Sequence, residues 1–150
     1  MAVTATWYGA AGLGMVSATA ARRFDWVTDT IKVTLHTSLY VPNVDTHDFA
    51  DDLTNEVAAG GGYTTGGVTL ASKTLTYDSV SNTVRLDAAD AAWTFTVSKT
   101  MRYAVVWKDT GVAASSPLLG YVDFGADESS SGTFTLQWDA TDGVLRMVVV

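Results

Sequence analysis

The sequence predicts an all-β fold: an antiparallel β-sandwich or partly open barrel of about eight or nine strands, with one short helix and an extended N-terminal arm. Three observations carry that expectation. Short segments in which apolar residues alternate with Thr, Ser or charged residues recur along the chain, the period-2 pattern of half-buried strands. Clusters of Gly, Pro, Asn and Asp separate them, as antiparallel connections require. Finally, Tyr103-Ala104-Val105-Val106-Trp107 is apolar on both alternating faces, which marks a central strand covered on both sides.

Residues 1–24 are rich in Ala, Gly and Thr, carry no charge before Arg22-Arg23 and have little amphipathic order, so they read as an arm preceding a β domain at 25–150. Without a basic region ahead of an apolar core, the start is expected to be retained rather than cleaved as a signal peptide. Ile31, Val33 and Leu35 alternate with Lys32, Thr34 and His36 as the first strand of the domain. After Pro42-Asn43, residues 45–53 predict the single helix, with Asp45 or Thr46 as its cap and acids near its N-terminus.

Gly60-Gly61-Gly62 and Gly66-Gly67 then bracket a tight turn. Val68 to Leu70 continue the strand pattern, and Leu75 with Tyr77 and Val84 with Leu86 form a hairpin around a turn at 78–82. Trp93, Phe95 and Val97 alternate with Thr94, Thr96 and Ser98. The central strand follows, then an exposed tip from Lys108 to Pro117 and a return strand to Phe124. Phe134, Leu136 and Trp138 form another strand, and Asp142-Gly143 turns the chain into a last one.

Composition narrows function mainly by exclusion. The 150 residues suffice for one core without metals or disulfides, and cysteine is absent. A net charge of -7 with nine Lys and Arg spread along the chain argues against a nucleic-acid partner. No apolar run reaches the roughly 18 residues of a membrane-spanning helix, so no membrane partner is expected. Only 17% of residues are charged while 47% are hydrophobic, which leaves a surface of Thr, Ser, Ala and Gly. Thr-covered sheet faces produce such a surface, and so does burial against other subunits.

Chemical motifs are weak throughout, and no cofactor or metal is expected. The acids Asp45, Asp48, Asp51, Asp52 and Glu56 lack the spacing of a calcium-binding EF-hand loop. His36 and His47 are the only histidines and no Gly-x-Ser-x-Gly elbow is present, which disfavours a hydrolytic triad. Asp87 with Asp90, or Asp123 with Asp127, would be the carboxylate pairs of a glycosidase, yet such pairs are common in turns. Asp123-Phe124-Gly125 stands without the other kinase motifs, and the glycines of Gly9 to Gly14 lack dinucleotide-binding spacing. The five Trp and six Tyr would suit a sugar-stacking platform, but most fall on alternating apolar faces and read as core.

Several segments carry a resemblance: Asp29-Thr30-Ile31-Lys32-Val33, Asp45-Thr46-His47-Asp48, Asn55-Glu56-Val57, Gly62-Tyr63-Thr64 and Gly66-Gly67. It continues through Arg102 to Val106, Asp109-Thr110-Gly111, Ser116-Pro117-Leu118, Gly120 to Gly125 and Trp138-Asp139. In these residues, which together span most of 25–146, the chain resembles a family of small structural proteins of tailed bacteriophages and prophages. The resemblance implies a non-enzymatic virion protein, made in the bacterial cytoplasm and located on the capsid exterior. As a decoration protein it would bind the major capsid protein and associate as a homotrimer. A tail, neck or head-fibre component and a carbohydrate-binding module on the virion surface are the alternatives. In the decoration reading, Trp7, Tyr8, Leu13, Met15, Arg22 and Arg23 of the arm contact the capsid or a neighbouring copy.

Overall fold

A computed structural model describes residues 2–149. It contains eleven strands and one α-helix in chain order: β1 (Ala2–Val3), β2 (Thr6–Trp7), α1 (Gly9–Val16), β3 (Ile31–His36), β4 (Val68–Thr69), β5 (Thr74–Asp78), β6 (Thr83–Asp87), β7 (Ala91–Thr94), β8 (Lys99–Lys108), β9 (Leu118–Ser130), β10 (Thr133–Trp138) and β11 (Leu145–Val148). They form a five-stranded sheet in the order β2-β9-β8-β3-β4 and two three-stranded sheets, β1-β10-β7 and β11-β6-β5. The sheets do not close into a barrel, so the fold is the sandwich-like one of the two forms expected.

β8 lies at the centre of the five-stranded sheet, antiparallel to β3 and β9. Its two faces serve different clusters. Ala104 and Val106 join Ile31, Val33 and Leu35 in the main core, which also takes Leu86, Trp93, Leu136 and Leu145 from the two smaller sheets. Val105 and Trp107 face the other way, toward Tyr8, Tyr40 and Leu118. Burying one such aliphatic side chain contributes about 1.5–3 kcal/mol, and β8 does so on both faces.

Two glycines show how tightly the layers approach. A Cβ on Gly67, whose φ is +67°, would fall onto the Val33 carbonyl where β4 meets β3. On Gly120 it would sit 2.7 Å from Leu145 and 2.8 Å from the Thr6 carbonyl, so the bare backbone of β9 is what admits β2 beside it.

The helix expected at 45–53 does not form. The amides of Asp45 and Thr46 are held by the Asn43 side chain in a turn, at 3.0 and 3.2 Å. Phe49 forms a β-bridge to Pro117, with the Ala50 amide on the Ser116 carbonyl and the Leu118 amide on that of Asp48. Those long-range bonds commit the backbone, and only Ala50–Asp52 winds into a single 3-10 turn. The α-helix lies at Gly9–Val16 instead, in a glycine-rich run of poor propensity. Tertiary packing overrides propensity there: Ala11 and Gly14 line its buried face, and a Cβ on Gly14 would strike the Arg22 carbonyl.

Nor does the N-terminal segment stand away from the domain as an arm. β1 runs parallel to β10 and β2 antiparallel to β9, so residues 2–7 complete the edges of two different sheets. Ala5 and Ala11 belong to the main core. The physical reason is that small residues such as Ala, Gly and Thr allow close backbone approach, which the absence of amphipathic periodicity conceals.

Candidate functional site

Along the N-terminal segment the backbone alternation sends neighbouring aromatics in opposite directions. Trp7 is half-exposed and donates its indole N–H to the Arg146 carbonyl at 2.7 Å. The next residue, Tyr8, has no exposure at all. Its amide bonds the Leu119 carbonyl and its hydroxyl lies 2.7 Å from that of Tyr40, which is 3.1 Å from Nδ1 of His47. Burial raises the Tyr8 hydroxyl far above its ordinary value and pushes Tyr40 up to about 12, so both stay neutral. Tyr8 is therefore an internal anchor and not a contact residue.

Beyond the anchor, α1 presents Leu13 and Met15 outward at 63% and 42% exposure. Met15 and Trp7 then meet Phe24 and Trp26 on one side of an open trough of about 340 Å³. The other side comes from the sheet β11-β6-β5. Leu75 pairs with Leu86 and Leu86 with Leu145, while Tyr77 pairs with Val84 and Val84 with Met147, giving two apolar rows on one face. Leu86 and Leu145 reach the core, whereas Leu75, Tyr77 and Met147 remain exposed. An uncovered apolar surface thus joins the N-terminal segment to an outer sheet, and its chemistry is that of a docking surface.

The arginines serve internal roles. Arg22 pairs with Asp48 and lies 4.9 Å above the Phe49 ring, pinning the end of the N-terminal segment to the loop where a helix was expected. Arg23 donates to the Ser17 carbonyl at 2.9 Å and keeps an exposed side chain. Of the six residues expected to contact a partner, the fold brings Trp7 and Met15 together at the trough, leaves Leu13 and Arg23 at the surface, and ties Tyr8 and Arg22 inward. Phe24, Trp26, Leu75, Val84, Leu86 and Met147 were missed as members of this surface. Leu75 and Tyr77 carry an inward-facing pattern, and alternation does not reveal that the inward face lacks a covering layer.

The acids are also in structural use. Tyr63 donates to Glu56 at 2.7 Å, as does the Gly66 amide, and Asp52 accepts the amides of Asp48 and Phe49. Arg102 grips Asp123 through two nitrogens, which holds that carboxyl below its usual range, and Asp90 accepts the Trp138 amide. Among the described residues, no three His, Asp or Glu side chains converge to hold a metal ion. His36 is buried, with Nδ1 2.8 Å from the Thr54 carbonyl and Nε2 2.9 Å from the Thr34 hydroxyl. It must donate through Nδ1 and accept at Nε2, and burial lowers its pKa, so it is neutral.

Four of the five tryptophans, Trp26, Trp93, Trp107 and Trp138, are buried in the two core clusters. No family model, curated protein or solved structure matches the chain.

Proposed function

We propose that the chain is a structural protein of a tailed-bacteriophage virion, a decoration protein that binds the outer surface of the major-capsid lattice and stabilises it. The resemblance across residues 25–146 supplies the class, and the low charge agrees with a life spent against other subunits. The observation that carries the docking role is the apolar trough lined by Trp7, Met15 and Phe24, with Leu13 of the same helix as Met15 exposed beyond it. Burial of such surface contributes roughly 25 cal/mol per Å², before association costs are subtracted. The partner is the major capsid protein, and the resemblance implies a trimeric arrangement on the lattice. The carbohydrate reading has less support, because Trp7 is the one tryptophan not enclosed in the core.

Truncating the N-terminal segment would remove the buried Tyr8 together with the surface residues, so substitutions are the cleaner probe. Leu13→Asp with Met15→Asp is expected to abolish co-sedimentation with expanded capsids while the protein stays folded. Full binding by that variant would sink the proposal.

A further inference from the structure

The edge of β5 is open along the whole strand. β5 pairs with β6 in continuous register over Thr74–Asp78 and terminates its sheet. None of its backbone groups bonds to anything outside the hairpin among the described residues. The opposite edge differs: the N-terminal segment covers part of it, through Trp7 on the Arg146 carbonyl and the Ala5 amide on that of Val144. Soluble proteins blunt open edges with Pro, charged side chains or bulges; residues 74–78 hold no Pro and no bulge, and their one charge, Asp78, lies at the strand end in an ion pair with Arg85. Two apolar side chains, Leu75 at 53% and Tyr77 at 58% exposure, stand along this edge. Tyr77 is held in place by its hydroxyl on the Asn82 side chain at 3.1 Å.

We infer that β5 is a self-association edge, pairing antiparallel about a two-fold axis with β5 of a second copy. The order of side chains selects this occupant. With the axis at Thr76, Thr76 meets Thr76 of the second copy, Leu75 meets Tyr77, and Thr74 meets Asp78. Apolar faces apolar on one side of the extended sheet, and hydroxyl faces hydroxyl or carboxylate on the other. No like charges oppose each other. Asp78 is already ion-paired with Arg85 at 3.0 Å, and the Lys73 ammonium donates to the Asp29 carbonyl, which draws it away from the strand's open side. The pairing is confined to these five residues, since Ser79 and Val80 already belong to the hairpin turn and Ser72, with φ +51°, bends the chain away at the other end.

The product is a continuous six-stranded sheet. Its apolar rows run from Met147, Val84 and Tyr77 directly into Leu75, Leu86 and Leu145 of the second copy. Backbone hydrogen bonds supply affinity, and the two Leu–Tyr cross-strand pairs fix the register. The contact is isologous and closes on itself, which prevents open-ended growth at an otherwise hazardous edge. It stands on the hairpin alone and holds whether or not the chain binds a capsid; on a lattice of trimers it would join neighbouring trimers.

Sedimentation equilibrium of the full chain from micromolar to millimolar concentration tests this, alongside Thr76→Lys, Leu75→Asp and a control, Val112→Asp, on the distant 108–117 tip. The expected result is a two-chain species whose dissociation constant rises about fivefold or more in Thr76→Lys, which sets two lysines against each other at the axis. Leu75→Asp is expected to raise it more than about tenfold, because the pair it breaks occurs twice. Val112→Asp should leave it unchanged. If Leu75→Asp proves unfolded by circular dichroism, Thr76→Lys decides. Hydrogen exchange of the 74–78 amides should slow with rising concentration. A single-chain mass throughout, or self-association that Thr76→Lys leaves unchanged, overturns the inference.

Discussion

Removing the Tyr8 ring is the sharpest test of whether the N-terminal segment belongs to the fold. Tyr8 is fully enclosed, packs 5.4 Å from the Tyr121 ring, and shares its hydroxyl with Tyr40. Tyr8→Ala opens a cavity with no route for solvent-side relaxation, and comparable large-to-small core changes cost about 3–5 kcal/mol. Tyr8→Phe keeps the ring and loses one hydrogen bond. Because Tyr40 retains His47 as a partner, that loss is about 0.5–1.5 kcal/mol. With a urea dependence of about 2 kcal/mol per molar, the alanine variant should unfold about 2 M earlier than the parent and the phenylalanine variant about 0.5 M earlier. Equilibrium urea unfolding followed by tryptophan fluorescence reads both. If Tyr8→Ala unfolds at the parent midpoint, the segment is not integral to the domain and the packing of β2 and α1 described above is wrong.

Three further outcomes follow from the same packing. Gly120→Ala should destabilise by about 1–3 kcal/mol in the same urea assay, since its Cβ would press on Leu145 and on the Thr6 carbonyl. His36 is neutral in the fold and has its pKa lowered from 6.5, so the unfolded chain takes up a proton first on acidification. The contribution is therefore fully present above pH 6.5 and is lost as pH falls from there through the depressed folded value. The urea midpoint should drop between pH 7.5 and pH 5, and His36→Gln should flatten that drop. Asp48→Asn, which removes the partner of Arg22, should cost less than about 1 kcal/mol, because both side chains keep solvent contact.

Most of the architecture is legible in the sequence because a strand advertises itself through alternation. Ile31, Val33 and Leu35 are buried as expected, and the doubly apolar run at 103–107 does occupy the middle of the largest sheet. The misreadings share one cause, which is long-range contact overruling a local signal. Residues 45–53 have a helix-like start, but Phe49 and Ala50 are captured by the Ser116–Pro117 backbone, far away in sequence. Residues 9–16 look unstructured, yet Gly14 lets the turn of α1 rest on the Arg22 backbone.

The candidate surface was half legible for the same reason. Trp7 and Met15 could be suspected from an uncharged, aromatic-bearing terminus. Tyr8 beside them gave no sign that it points inward. Leu75 and Tyr77 gave none that the sheet face they share with Val84 and Met147 is uncovered, since the sequence shows which face is apolar and not whether another layer lies on it.

The claim on which the functional reading turns is a place on the outside of a capsid lattice, and the number of copies per virion tests it most directly. Quantitative mass spectrometry of purified particles, normalised to the major capsid protein, is expected to find the chain in hundreds of copies, all of them accessible to protease or antibody on intact heads. A handful of copies per particle, or copies shielded inside the head or confined to the tail, would contradict it.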